Sequence, residues 1–408
     1  MFWGMVFGVV LWIIGPLTVM PILTGSLVAW NLGVIQHAFP DLIGHLWFGA
    51  VTAIILSLLQ NSKSKKPKSA HKTVQVSSKG IVAGLLAVGI MHLMFGNFFQ
   101  INFLAVSANA SGQGVSVFSL ILTGLMGGLL FVFLYPRTVE SSGGNLIRGM
   151  LYGFFMWIAG PLSLMPLFAG YGLHWDIGLA RLAFSGLPGF ILFGALLALL
   201  YQWIGQLGHT LFGPGTQSLR EGSGTVGVRG VLRGTFAGLA GGAIFTFFMK
   251  KMGMLTVIAH MAGGTSESYG IMIHLIIAII IGISYSLMFR RQSVDLGSAM
   301  GWGLSYGFFW WVLGGLTIMP FLLGGAPQWE AAQSAAAFPS LIGHLAYGAA
   351  LGISAFLIER QQNPWWITKD IALEQRLQRE LDQLQSSAPA LWTLTAILAV
   401  LIPALIAV

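Results

Sequence analysis

"GMVFGVVLWIIGPLTVMPILTG", Gly4–Gly25, is the stretch from which the rest of this chain can be read. It returns twice without a gap, as "GMLYGFFMWIAGPLSLMPLFAG" over Gly149–Gly170 and "GLSYGFFWWVLGGLTIMPFLLG" over Gly303–Gly324. All three copies keep Gly at the first, fifth and last positions, Trp at the ninth, and Met-Pro near the end. Each is apolar throughout and of the length, about 20 residues, that crosses a bilayer as a helix. Two weaker copies, "GIVAGLLAVGIMHLMFG" from Gly80 and "GTFAGLAGGAIFTFFMK" from Gly234, keep the Gly-x-x-x-Gly opening and lose Met-Pro. Recurrence at this scale marks a repeated structural unit.

A second apolar run follows each copy: "HLWFGAVTA" at His45, "LILTGLMGG" at Leu120, "FILFGALLA" at Phe190, "HLIIAIIIG" at His274 and "HLAYGAALG" at His344. One larger residue heads small residues spaced by four, which stack on one helical face and let two backbones approach. The unit is therefore a helical hairpin. The phrase "HAFPDLIGHLWFGA" from His37 recurs as "AAFPSLIGHLAYGA" from Ala336, as a duplicated hairpin requires. In it, Pro sits near a helix start, and Asp41 or Ser340 is placed to cap freed N–H groups.

The fold class expected is all-α and polytopic: five tandem transmembrane hairpins plus a C-terminal span, about 11 crossings. Hairpins are expected at 1–60, 79–136, 145–206, 229–291 and 299–360. A basic linker is expected at 61–78, a Gly-rich linker at 207–228 and an amphipathic cytoplasmic helix at 361–388, with the last span at 390–408. In the amphipathic stretch Leu373, Leu377, Leu381 and Leu384 recur at helical spacing, which suits a surface-lying or partner-binding helix as well as a solvated spacer. The first apolar stretch has no basic n-region and no cleavage site, and is expected to stay as the first span.

Composition agrees. Of 408 residues, 56% are hydrophobic and 8% charged, too few charges to coat a water-facing surface. Mean hydropathy is +0.81. With no cysteine, disulfides and thiolate metal sites are excluded. All but three of the 20 Lys and Arg fall in the linkers, at the hairpin ends that adjoin them, or before the last span; Arg181, Lys250 and Lys251, within or beside hairpin loops, are the exceptions. Basic loops stay in the cytoplasm. The expectation is a bacterial inner-membrane protein with its N-terminus and linkers inside, and hairpin tips and C-terminus outside. The net charge of +8 is then a topology signal that also suits anionic lipid heads; it does not indicate nucleic-acid binding.

The pairing of a G-x-x-A-G helix with a helix bearing a small-residue stripe resembles the YagU-like bacterial inner-membrane proteins, a domain of unknown function. Gly80, Ala83, Gly84, Gly234, Ala237 and Gly238 carry the resemblance. It implies a membrane fold across all five repeats and brings no catalytic residues with it.

Candidate chemistry is sparse. No Asp or Glu falls in the middle of a span, whereas ion-coupled transporters bury a carboxylate as counter-charge. No P-loop, G-x-S-x-G or H-E-x-x-H occurs. His45, His274 and His344 stand early in second helices, and His92 lies in a first helix. Two imidazoles from facing helices, flanked by small residues, are what haem b needs, and hairpins 1 and 5 become neighbours if the repeats close into a ring. The plainer reading is that each histidine bonds a carbonyl exposed beside a Gly or Pro. Met20, Met165 and Met319 beside such histidines suggest copper, although a Met in an apolar helix usually packs. Gly49 and Gly348 read as packing positions. Pro16 and Pro161, with Gly314-Gly315, should break their helices and release carbonyls, which line a substrate site in carriers and merely bend a helix in scaffolds.

Two functions follow: an integral subunit, scaffolding or electron-relaying, of a larger bacterial membrane complex such as a respiratory or photosynthetic one, or a channel or facilitator for a small neutral or weakly polar solute. The first is favoured, with no catalytic activity of its own and with lipid and protein subunits as partners. The charge distribution makes a direct prediction. Cysteines placed at Ser64, Ser223 or Gln292 react only with reagent that reaches the cytoplasm, and those at Ser26, Ser111 or Gln328 only from outside; outside labelling at Ser64 reverses the orientation.

Overall fold

The computed structural model describes residues 1–28, 30–63, 70–96, 117–135, 141–173, 175–212, 223–289, 292–293, 295–361 and 401–407. Those residues are all-helical, with no strand among them. The first unit holds α1 (Phe2–Ile14), a π-helical segment π1 (Gly15–Val19), α2 (Met20–Leu23), α3 (Leu32–His37) and α4 (Phe39–Lys63). Next come α5 (Ala70–Phe95) and α6 (Val117–Leu134). The third unit repeats the first: α7 (Ser142–Ala159), π2 (Gly160–Leu164), α8 (Met165–Phe168), α9 (Ile177–Leu182) and α10 (Gly186–Phe212). The fourth has α11 (Ser223–Lys251), α12 (Met254–Met261) and α13 (Glu267–Met288). The fifth has α14 (Leu296–Trp310), π3 (Trp311–Ile318), α15 (Met319–Leu322), α16 (Ala331–Ala336) and α17 (Phe338–Gln361). Nine helices among the described residues are long and apolar enough to cross a membrane.

The helices pack in sequence-adjacent pairs: α1 on α4, α5 on α6, α7 on α10, α11 on α13, and α14 on α17. Glycine makes each pairing. A Cβ built on Gly49 would fall onto the Gly4 carbonyl, one on Gly194 onto that of Gly149, and one on Gly348 onto that of Gly303. The same collision joins Gly128 to Gly80 and Gly282 to Gly234. With no water to expel between helices in lipid, such close backbone contact is the main attraction available.

A second level of packing joins pairs. The second helix of units 3 and 5 is covered by the first helix of the unit before it, α10 by α5 and α17 by α11. The α11–α17 contact carries an ion pair, Arg233 to Glu359 at 3.0 Å. Helix α7 lies innermost, buried from Gly143 to Ala159.

The terminal Gly shared by the three strong copies has a conformational cause. Gly25, Gly170 and Gly324 have φ of 72°, 82° and 78°, the left-handed turn that ends α2, α8 and α15. Two expectations need adjusting. The stretches 61–78 and 207–228 are not plain linkers: α4 runs to Lys63, α5 starts at Ala70, α10 runs to Phe212 and α11 starts at Ser223. Helices continue there because backbone hydrogen bonds persist past the apolar run as readily as within it. The tips also carry short helices of their own, opened by Asn31 and Asp176, whose side chains accept from the backbone N–H of Val34 and Leu179.

The amphipathic stretch 361–388 lies outside the described residues apart from Gln361, as does the last span before residue 401. Residues 401–406 are helical, with Leu401, Ile402, Ala404 and Leu405 fully buried. Gln36 Nε2 donates to the carbonyls of Ala404 and Ala407, each at 3.0 Å. Arg181 donates to Leu405 O at 2.9 Å and also to Ala407 O. Cationic and amide donors thus satisfy carbonyls that a helix end leaves open.

Replacing Gly49 or Gly348 by Leu should cost about 1–3 kcal/mol through overpacking against opposed backbone. Leucine at Val51, which is exposed, or at Ala350 should cost less. Thermal unfolding in detergent checks the order; equal tolerance at both kinds of position would contradict the pairing.

Candidate functional site

The three broken helices are the strongest candidate for a site, because a break releases carbonyls into the bilayer. Proline at Pro16 and Pro161 removes an N–H from the helical ladder, and Gly314-Gly315 loosens it. The backbone responds by widening into π1, π2 and π3 rather than by opening.

Side chains of the protein bond carbonyls beside the breaks and across each hairpin. Thr18, Ser163 and Thr317 occupy one aligned position, and each hydroxyl donates to the carbonyl five residues back. The partners are Ile13 at 2.8 Å, Ile158 at 2.9 Å and Val312 at 2.7 Å. The aligned indoles bind across the hairpin to a carbonyl 26 residues on: Trp12 to Ala38, Trp157 to Ala183 and Trp311 to Ala337. A second indole, 12 residues beyond the hydroxyl, closes over it in two units: Trp175 to Ser163 at 3.1 Å and Trp329 to Thr317 at 3.0 Å. Ser163 also accepts from Trp47 of the first unit at 3.0 Å, so its two lone pairs and its proton are all engaged. In the first unit Trp30, the counterpart of Trp175 and Trp329, is 66% exposed.

The hydroxyl and second-indole positions were missed in reading the sequence. Their signal was present: a hydroxyl at the fifteenth place of all three quoted copies and a Trp 12 residues later.

The histidines fall into three situations. His45 Nδ1 lies 2.7 Å from Asp41 O, and His344 Nδ1 lies 2.8 Å from Ser340 O, one helical turn back in each case. Ser340 Oγ also reaches His344 Nδ1, at 3.2 Å. His274 Nε2 is 3.3 Å from Gly242 O on the paired helix. His92 Nδ1 is buried and has no hydrogen-bond partner.

His274 and His344 are brought together, with the Phe245 ring edge-on to both at centroid distances of 5.3 and 4.6 Å. A flat macrocycle between those two imidazoles would have to displace Phe245. His45 and His344 are not brought together in this way: among the described residues the main partner of α4 is α1, and those of α17 are α14 and α11. The His344 ring edge abuts the break in its own unit, where a Cβ on Gly315 would stand 3.5 Å from Cε1.

The methionines share no environment. Met20 is exposed, Met165 is buried and Met319 is intermediate. Among the described residues no group of three or more His, Asp or Glu is disposed to hold a metal ion. Their acidic side chains keep to helix ends and tips: Asp176, Asp295 and Glu330 stand at N-caps, Asp41 and Glu267 in first turns, and Glu359 pairs with Arg233. A small cleft beside that ion pair, lined by Tyr285, Ser286 and Phe289, lies where α13 and α17 end. Comparison of the chain with protein-family models, curated proteins and solved structures finds no match.

The chemistry of the breaks sets an order of tolerance. Thr317→Val leaves the buried Trp329 indole without a partner and takes the hydroxyl donor from Val312 O, at a cost of about 1–3 kcal/mol. Thr18→Val, with no indole on its hydroxyl, should cost less than half as much. Unfolding temperatures of the two purified variants test this, and a larger loss at Thr18 would contradict it.

Proposed function

We propose that this chain is a non-catalytic integral scaffold subunit of a larger bacterial membrane complex. It is held in the inner membrane by five tandem hairpins and a C-terminal span, eleven crossings in all, with the N-terminus cytoplasmic and the C-terminus outside. The kinship with YagU-like membrane proteins belongs to the same proposal and rests on the shared packing glycines alone.

One observation carries the reading: at each break a hydroxyl of the chain takes the carbonyl five residues back, and the aligned indole takes the Ala38, Ala183 or Ala337 carbonyl ahead of the second helix. In a carrier, broken helices keep such groups for the solute or coupling ion. Here the hydroxyls tie each break to its own helix, and the indoles hold each hairpin closed. The placement of acidic residues at helix ends supports the same conclusion, since ion coupling needs a carboxylate at depth. The electron-relaying variant has weaker support, because Phe245 fills the space between the two histidines that meet.

The test is extraction in mild detergent from the native membrane, followed by native electrophoresis and a flux assay in liposomes. The expected result is a species well above the 43.8 kDa chain mass, with other polypeptides in fixed ratio, and no flux of small neutral solutes from the isolated chain. Isolation of the chain alone, with solute flux, would overturn the proposal in favour of a facilitator. A Soret band lost on His344→Leu would restore the electron-relaying variant.

A further inference from the structure

Three consecutive residues of α4 point to three different surroundings. Gly49 lies against Gly4 of α1. Trp47 reaches into the third unit, to Ser163 and to the Phe155 ring at 5.5 Å. Phe48 faces outward and is 54% exposed.

Its counterparts in the other two strong copies are Phe193 of α10 and Tyr347 of α17, exposed by 0% and 2%. The difference continues up the same helical face at intervals of four. Thr52 is half-buried where Leu197 and Leu351 are fully buried, and Leu56 is exposed where Tyr201 and Ala355 are buried.

What covers that face in the other two units is visible within this chain. In both it is a Gly-x-x-x-Gly hairpin of the weaker type. A Cβ on Gly127 of α6 would meet the Phe193 ring at 3.0 Å, and Tyr201 stands edge-on to Phe131 of the same helix. A Cβ on Gly241 of α11 would meet the Tyr347 ring at 2.9 Å, and the Tyr347 hydroxyl donates to Ala278 O of α13 at 2.8 Å. Each ring is thus received by a site vacated by a missing side chain. At the tip of the same first unit Trp30 is exposed as well, whereas its counterpart Trp329 is 4% exposed.

We propose that the Phe48–Thr52–Leu56 face of α4 is the docking surface for a pair of transmembrane helices from a different polypeptide, packed through glycines four apart, with a glycine or alanine under the Phe48 ring. The inference rests on the subunit reading and names what kind of neighbour that subunit has. A second copy of this chain does not fit, because the receiving glycines of both its weaker hairpins already hold Phe193 and Tyr347. The docking repeats a contact that the fold makes twice within itself.

The experiment is site-specific photo-crosslinking of the full chain in its native membrane. A photoreactive phenylalanine analogue replaces Phe48 or Leu56, with Ile280, 59% exposed on α13, as the control position. The expected result is that positions 48 and 56 join one and the same foreign polypeptide, with the adducts mapping to paired spans that carry glycines four apart, while position 280 does not. In addition, Phe48→Ala with Leu56→Ala should lower co-purification of that polypeptide roughly tenfold, the effect of removing interface anchors, with the unfolding temperature of the isolated chain unchanged.

Adducts at 48 and 56 to lipid, to this chain or to a second copy overturn the proposal, as does a captured protein without such spans. If partners still co-purify in that case, the subunit reading stands and only the docking face is wrong. If the chain runs alone, both fail.

Discussion

Everything in this fold depends on bare backbone meeting bare backbone. Where Gly4 faces Gly49, or Gly303 faces Gly348, no side chain intervenes, and the helices close to a distance any Cβ would forbid. In a soluble bundle, burial of apolar surface would hold such pairs, but lipid tails remove most of that driving force. What remains is dispersion summed over closely approached atoms, together with the cost of any backbone group left unpaired. The glycines supply the first, and the hydroxyl bonds beside the π segments and the indole bonds across each hairpin deal with the second. The two are linked, since the close approach brings the Trp12, Trp157 and Trp311 indoles within reach of carbonyls on the partner helix side.

Much of this was legible in the residues. Repeated Gly-x-x-x-Gly against a stripe of small residues announced paired helices, and Gly15-Pro16, Gly160-Pro161 and Gly314-Gly315 announced breaks. These signals are local, and local geometry needs no knowledge of distant parts of the chain. The role of the aligned Trp was harder to see, because its acceptor lies 26 residues away across a turn. Further out still is the bond from Trp47 to Ser163, with a separation of 116 that no periodicity encodes.

The histidines show the same limit. Alignment set His45, His274 and His344 at one place in their helices, but which two come together depends on how hairpins pack on one another. The structure brings His274 to His344 because α11 lies against α17, and it sets Phe245 between them. No feature within a single repeat carries that information. The adjacent backbone carbonyls at Asp41 and Ser340, by contrast, sit one turn away and could be anticipated.

The grip of Gln36 and Arg181 on residues 404–407 has a consequence for the order of assembly. Bonds within a hairpin join residues made close together in time, so each hairpin can close soon after it emerges from the ribosome. The acceptors of Gln36 lie 368 and 371 residues downstream, and those of Arg181 lie 224 and 226 downstream. Two short tip helices, α3 and α9, from different units therefore hold their donors ready while most of the chain is still unmade. Their hydration is given up only when the final segment arrives between them. Translation itself thus sets the sequence in which units 1 and 3 become joined, and a nascent chain halted before that point would have its hairpins but not this link.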